Sequence, residues 1–172
     1  MEAWWVTLLR RQQSDGFPDF AGAAGAITLP ISDRLITRVI ADRLPPSVPV
    51  RDLDLHAHAD GIIDVRLRLT KPAFLPPLRL RFAIVQQPDL PASPVVALAM
   101  VSEGLTRMAA QALKFVDVLP RGVRFDGHRF FVDLAALLQT YDAADVLRYL
   151  TDLNFSAEDG RIIVRARAAV AG

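Results

Sequence analysis

The sequence predicts an α+β fold, a long curved antiparallel meander sheet wrapped around one or two amphipathic helices. Three observations carry that prediction. Strict alternation of apolar and polar residues recurs, above all in VRDLDLHAHADGIIDVRLRLT over residues 50–70. Asp-Gly pairs at Asp60-Gly61, Asp126-Gly127 and Asp159-Gly160 each separate strand-like runs, and two further runs place apolar residues at helical spacing. Asp-Gly favours the tight turns that join antiparallel strands, whereas successive parallel strands would need a helical crossover.

Composition bounds the function. At 172 residues the chain fits a single domain on the usual scale of ~100–200 residues per domain. It has no cysteine, which excludes a disulfide framework, a thiolate nucleophile and Cys-ligated zinc. Twenty Lys and Arg against nineteen Asp and Glu give a net charge of +1, so no global field draws the chain to nucleic acid. Hydrophobic residues make up 52%, above the usual ~45–50%. No run approaches the ~18 apolar residues of a membrane span, so the surplus belongs to core, interface or ligand-facing surface.

The elements follow in order. Residues 2–13 read as a short helix with Trp4, Trp5, Leu8 and Leu9 on one side, a candidate membrane or partner contact because Trp suits a polar–apolar boundary. Residues 14–26 are rich in Gly, Ala and Pro and read as a linker, so residues 1–26 form an N-terminal helix and linker and 27–172 a single α+β domain. Glu2 stands where a signal peptide has a basic region, and Arg10-Arg11 follow the short apolar run instead of preceding it. The expectation is a cytoplasmic protein, peripheral at a membrane only through its Trp pair.

Ile27 to Ile31 read as a strand. Ser32 then offers a capping oxygen to a helix with Leu35, Ile36, Val39, Ile40 and Leu44 on one oily face, stopped by Pro45-Pro46. The long hairpin comes next. Alternation puts Leu53, Leu55, Ala57, Ala59, Ile63, Val65, Leu67 and Leu69 on one face and Asp52, Asp54, His56, His58, Asp64, Arg66 and Arg68 on the other. Pairing Ala59 with Ile63 would set His58 opposite Asp64, His56 opposite Arg66 and Asp54 opposite Arg68, a largely complementary ladder.

After a break at Pro72, Pro76 and Pro77, residues 78–85 alternate with Leu80, Phe82 and Ile84 on one face, and Val95 to Val101 form a nearly all-apolar strand. Ser102 caps a helix whose Leu105, Met108, Ala109, Ala112, Leu113 and Val116 all fit the helical template. VRFDGHRFFVDL repeats the hairpin signal and runs into a short helical LAALLQTY. Asp142 and Asp145 then open a helix over AADVLRYLTDL, and LNFSAEDGRIIVRARAAV closes the chain as a last hairpin.

Chemistry is sparse. His56 and His58, two apart on a strand, face the same way and could reach one metal with His128, or with Asp64 added, in an HxH string that resembles metal-dependent amidohydrolases. Those enzymes use a barrel of ~250 residues, longer than this chain. A solvated outer sheet face accounts for both histidines without a metal, and for the arginines Arg66, Arg68, Arg79 and Arg81. No Gly-rich phosphate loop, GxSxG or HExxH is present, so the sequence yields no catalytic residue, metal ligand set or cofactor.

PISDRLITRVIADRLP as an opening helix, VRDLDLHAHADGIIDVRLRL as a long hairpin, SEGLTRMAAQALKFV as a later helix and DGRIIVRARAAV as a closing strand together resemble the bacterial tubular lipid-binding (TULIP) superfamily over about residues 27–170. The resemblance implies a curved sheet around a helix with an apolar tunnel. It leads to the expectation of non-enzymatic binding of a lipid or other long apolar molecule, lined by Leu53, Leu55, Ala57, Val65, Leu67, Phe82, Leu105 and Met108. Two other readings compete. One is a protein-interaction module or homo-oligomer with a filled core that docks through its Trp pair; the other is a metal-dependent hydrolase built on His56 and His58.

Overall fold

The computed structural model describes residues 19, 21–43, 50–70, 77–101, 121–140 and 143–170. The chain is α+β, with a curled antiparallel sheet of six strands in a half-barrel and a second sheet of three. In chain order the strands are β1 (Ala24–Ser32), β2 (Val50–Ala57), β3 (Ile62–Leu69), β4 (Leu78–Gln86), β5 (Val95–Met100), β6 (Val123–Phe125), β7 (Arg129–Asp133), β8 (Leu150–Glu158) and β9 (Arg161–Ala169). Helix α1 (Asp33–Arg43) follows β1, α2 (Leu134–Gln139) follows β7, and a 3-10 turn covers Ala144–Tyr149. The large sheet runs β2-β3-β4-β5-β7-β6 and the small one β1-β9-β8. No helix among the described residues is long and apolar enough to cross a membrane.

Period-two alternation sorts the large sheet's side chains into cross-strand rows. Leu53–Leu67–Leu78, Leu55–Val65–Leu80, Ala57–Ile63–Phe82–Met100 and Ile84–Leu98–Phe130–Phe125 lie in register on the inner face, with no charge in any of them. Leu55, Ala57, Ile63, Leu80 and Phe82 are buried there together with Ala157 of β8, and Ile36 of α1 packs against them. Curling has a local device: two residues of β4, Val85 and Gln86, oppose the single Ala97, so Val85 bulges out and is 51% exposed.

Several expectations need correction. The hairpin register is shifted by two: Ala57 pairs with Ile63, His56 with Asp64, Asp54 with Arg66 and Asp52 with Arg68. The turn occupies His58–Gly61, where Gly61 takes a φ of +81° and the Asp60 carboxylate accepts from the Ile62 N–H, so Ala59 is an exposed turn residue and lines no face. Helix α1 starts as expected, with Ser32 Oγ accepting from the Leu35 N–H at 3.4 Å. Its oily face is not turned inward: Leu35, Val39 and Ile40 are exposed, and among the described residues of that face only Ile36 reaches the core, Leu44 lying outside them.

Strand β1 begins at Ala24, because Ala24, Gly25 and Ala26 pair with Ala169, Ala168 and Arg167. The helix expected over residues 143–153 is a 3-10 turn that gives way to β8 at Leu150, whose neighbours pair with β9. In both places strand pairing outweighs local propensity. The expected helix over 102–116, with Leu105 and Met108, and the Trp4-Trp5 segment lie outside the described residues.

Candidate functional site

Strand β2 is an edge of the large sheet, and its outward N–H groups need acceptors. Helix α1 supplies them. Asp33 Oδ2 accepts from the Ala57 N–H at 3.1 Å, and Thr37 Oγ1 accepts from the Leu55 N–H at 3.1 Å. The spacing explains the fit: four helical residues rise ~6 Å, about the ~6.6 Å between alternate strand residues. The turn between β8 and β9 completes the junction, with the Gly160 N–H donating to Ala57 O at 2.9 Å and the Asp33 N–H donating to Gly160 O at 3.2 Å. Asp33 therefore ties α1, β2 and the small sheet together. Its Oδ1 is buried and accepts no hydrogen bond among the described residues.

The polar side of this junction holds the two histidines. His56 Nδ1 lies 2.9 Å from Asp33 Oδ2, and its Nε2 lies 3.8 Å from Asp159 Oδ1. His58 Nε2 lies 3.3 Å from Asp64 Oδ2, and the two imidazoles meet edge to face at 4.6 Å. Asp64 is 3% exposed, roofed by Arg79, whose Nε donates at 2.9 Å and whose second guanidinium nitrogen also donates, and by Arg81 Nε at 3.2 Å. Burial alone would raise its carboxyl, but hydrogen bonds from Arg79 and His58 and the Arg79 charge outweigh that and hold it below the ordinary range.

The histidines are committed to carboxylates, one each on α1 and β3. His128 stands in the turn between β6 and β7, at the opposite edge of the large sheet from β2. Among the described residues no group of three His, Cys, Asp or Glu is placed to hold a metal ion. What the junction offers is an open cleft of about 880 Å³ between α1 and the polar face of β2 and β3, lined by Arg34, Arg38, Asp54, His56, His58 and Arg66 among others. A second cleft of about 470 Å³ adjoins it and shares Asp54 and Arg66.

Of the apolar residues read from sequence as a binding surface, Leu55, Ala57 and Phe82 come together in one buried cluster, with Val65 and Leu67 packed against it. Leu53 is half-buried beside Leu67. Sequence reasoning named His56 and His58 but missed Asp33, Arg34 and Arg38. These lie some twenty residues upstream, and the only local signal was an Asp directly after a capping Ser. Comparison with known proteins adds nothing to the geometry: no family model, curated protein or solved structure matches the chain.

Proposed function

We propose that this protein is a non-enzymatic binder of a lipid or another long apolar molecule, held against the inner face of the curled sheet. The observation that carries the reading is the set of uncharged cross-strand rows described above. Toward β5, β6 and β7 their members Ile84, Leu98, Met100 and Phe130 are only partly buried, which leaves apolar area for a ligand to cover. Phe130 meets Phe82 edge to face at 5.6 Å and Phe125 at 4.5 Å, an aromatic floor suited to methylene chains. Leu53, Leu55, Ala57, Val65, Leu67 and Phe82 form the rest of the lining on this reading. The element order that resembles the tubular lipid-binding superfamily points the same way. Native mass spectrometry and organic extraction of purified protein should reveal a co-purified apolar molecule. A clean apoprotein that also fails to take up a fluorescent fatty acid overturns the proposal.

A second reading, an interaction module, rests on a different observation. Ile27 and Leu29 on β1 and Leu35, Val39 and Ile40 on α1 are all exposed, five large apolar side chains in one stretch of chain. Patches of this kind suit a partner surface. On this reading Ile27→Ser with Leu29→Ser lowers the mass seen by light scattering or abolishes partner capture without loss of ligand. A wild-type monomer that binds no protein removes it.

A further inference from the structure

We infer that the cleft between α1 and the polar face of β2 and β3 binds a phosphate ester that carries free hydroxyl groups. Arg34 and Arg38 stand four residues apart on α1, hence on the same side of the helix, and Arg66 faces them from β3 across the cleft. None of the three takes an ion pair among the described residues. Their neighbours differ: Arg68 lies against Asp52 at 3.9 Å, and Arg79 and Arg81 both spend themselves on Asp64. Asp64 is already shared by two guanidiniums, and Arg66 forms no ion pair with it or with its register partner Asp54.

Three guanidiniums without an ion pair among the described residues, two on the helix wall and one on the sheet wall of the same cleft, define an oxyanion site, because the planar fork of Arg matches phosphate geometry with two parallel hydrogen bonds. His56 and His58 line the same space, each with one ring nitrogen turned to a carboxylate. The cleft's volume of about 880 Å³ is far larger than an inorganic anion needs and falls within the ~300–1,000 Å³ of small-molecule sites.

Asp54 decides what the rest of the ligand is. It stands opposite Arg66 in register, lines the cleft and takes no hydrogen bond or ion pair among the described residues. A carboxylate there repels a bare dianion and rewards a ligand that brings a donor, which a hydroxyl group supplies. This site lies on the opposite face of β2 and β3 from the apolar rows, so the two proposals stand or fall separately.

Isothermal titration at low ionic strength, with sn-glycerol 3-phosphate and inorganic phosphate as probes, tests the inference. Glycerol phosphate should bind with a Kd below about 1 mM and several-fold more tightly than inorganic phosphate. Arg34→Gln with Arg38→Gln should weaken it roughly tenfold or more, as should Arg66→Gln alone, while Arg148→Gln on the 3-10 turn changes nothing. Asp54→Asn should erase the preference for glycerol phosphate. Thermal melts of each variant show whether it is folded, and all four sites are exposed enough for Gln or Asn. No heat with either probe, binding unmoved by the arginine variants, or equal affinity for the two probes each overturns the inference.

Discussion

Asp64 shows how a single buried charge becomes a pH-dependent part of the fold. Its carboxyl titrates in the unfolded chain near the ordinary value of about 3.9, and in the folded chain below that, under Arg79 and His58. Between those two values the unfolded state binds more protons, so stability rises with pH across the window and is fully present above it. Acidification from pH 5 downward should therefore lower Tm more steeply in the wild type than in Asp64→Asn. At neutral pH that variant should cost about 2 kcal/mol by chemical denaturation, less than a fully buried pair, because the guanidiniums of Arg79 and Arg81 are half-exposed and regain water. A different residue-scale constraint sits at Gly122. Its φ is +85°, and a Cβ there would meet Asp133 O at 2.9 Å, beside the Asp133 N–H that donates to Gly122 O. Gly122→Ala should lose about 2 kcal/mol, more than Gly127→Ala, whose φ of +98° is equally strained but whose surroundings are open.

At the scale of elements the recurring problem is the sheet edge. Thr37 closes one bond of the β2 edge, and Thr37→Val keeps the shape while leaving the Leu55 N–H without its acceptor. The expected cost is about 1 kcal/mol, with faster hydrogen exchange at Leu55 and unchanged exchange in β5. Unchanged exchange at Leu55 would mean that helix α1 does not hold the edge. Much of this arrangement is legible in the sequence. Alternation marks β2, β3, β4 and β9, and the Asp-Gly pairs mark three of the hairpin turns, because side-chain period and turn chemistry are both local. Register is not local in that sense: a slip of two residues keeps every side chain on its own face, so the pattern of residues 50–69 fits Ala59 against Ile63 as well as the observed Ala57 against Ile63. The inward side of α1 is equally hidden. Its apolar spacing promises a buried stripe, yet the helix turns Asp33 and Thr37 to the strand and leaves Leu35 and Val39 outside, since edge N–H groups need acceptors more than the core needs two further aliphatics. The polar cleft inherits that blind spot, because Arg34 and Arg38 meet Arg66 only once α1 lies along β2.

At the scale of the molecule, two sheets are held together by few contacts, and this sets how the chain should come apart. The small sheet meets the large one through Gly160 on Ala57, through Ala157 in the shared core, and through Gln87, whose side chain both accepts from the Phe155 N–H at 2.9 Å and donates to Phe155 O at 2.8 Å. Gln87 behaves as one added strand residue on the edge of β8, so Gln87→Leu leaves a part-buried donor and acceptor unpaired, worth about 1–3 kcal/mol. Asp33→Ala loosens the other end, where β1 passes into α1. Each single variant should still melt in one transition, because the apolar contact of Ala157 and Ile162 with the large sheet persists. With both changes, native-state hydrogen exchange should show β1, β8 and β9 opening at a free energy below that of β2, β3 and β4, as a separate cooperative unit. The two sites lie on different elements and share no partner, so their effects on the small sheet should add to within about 0.5 kcal/mol. Equal loss of protection in both sheets would instead show that the apolar contact alone couples them, and that Asp33 and Gln87 secure edges without joining the halves.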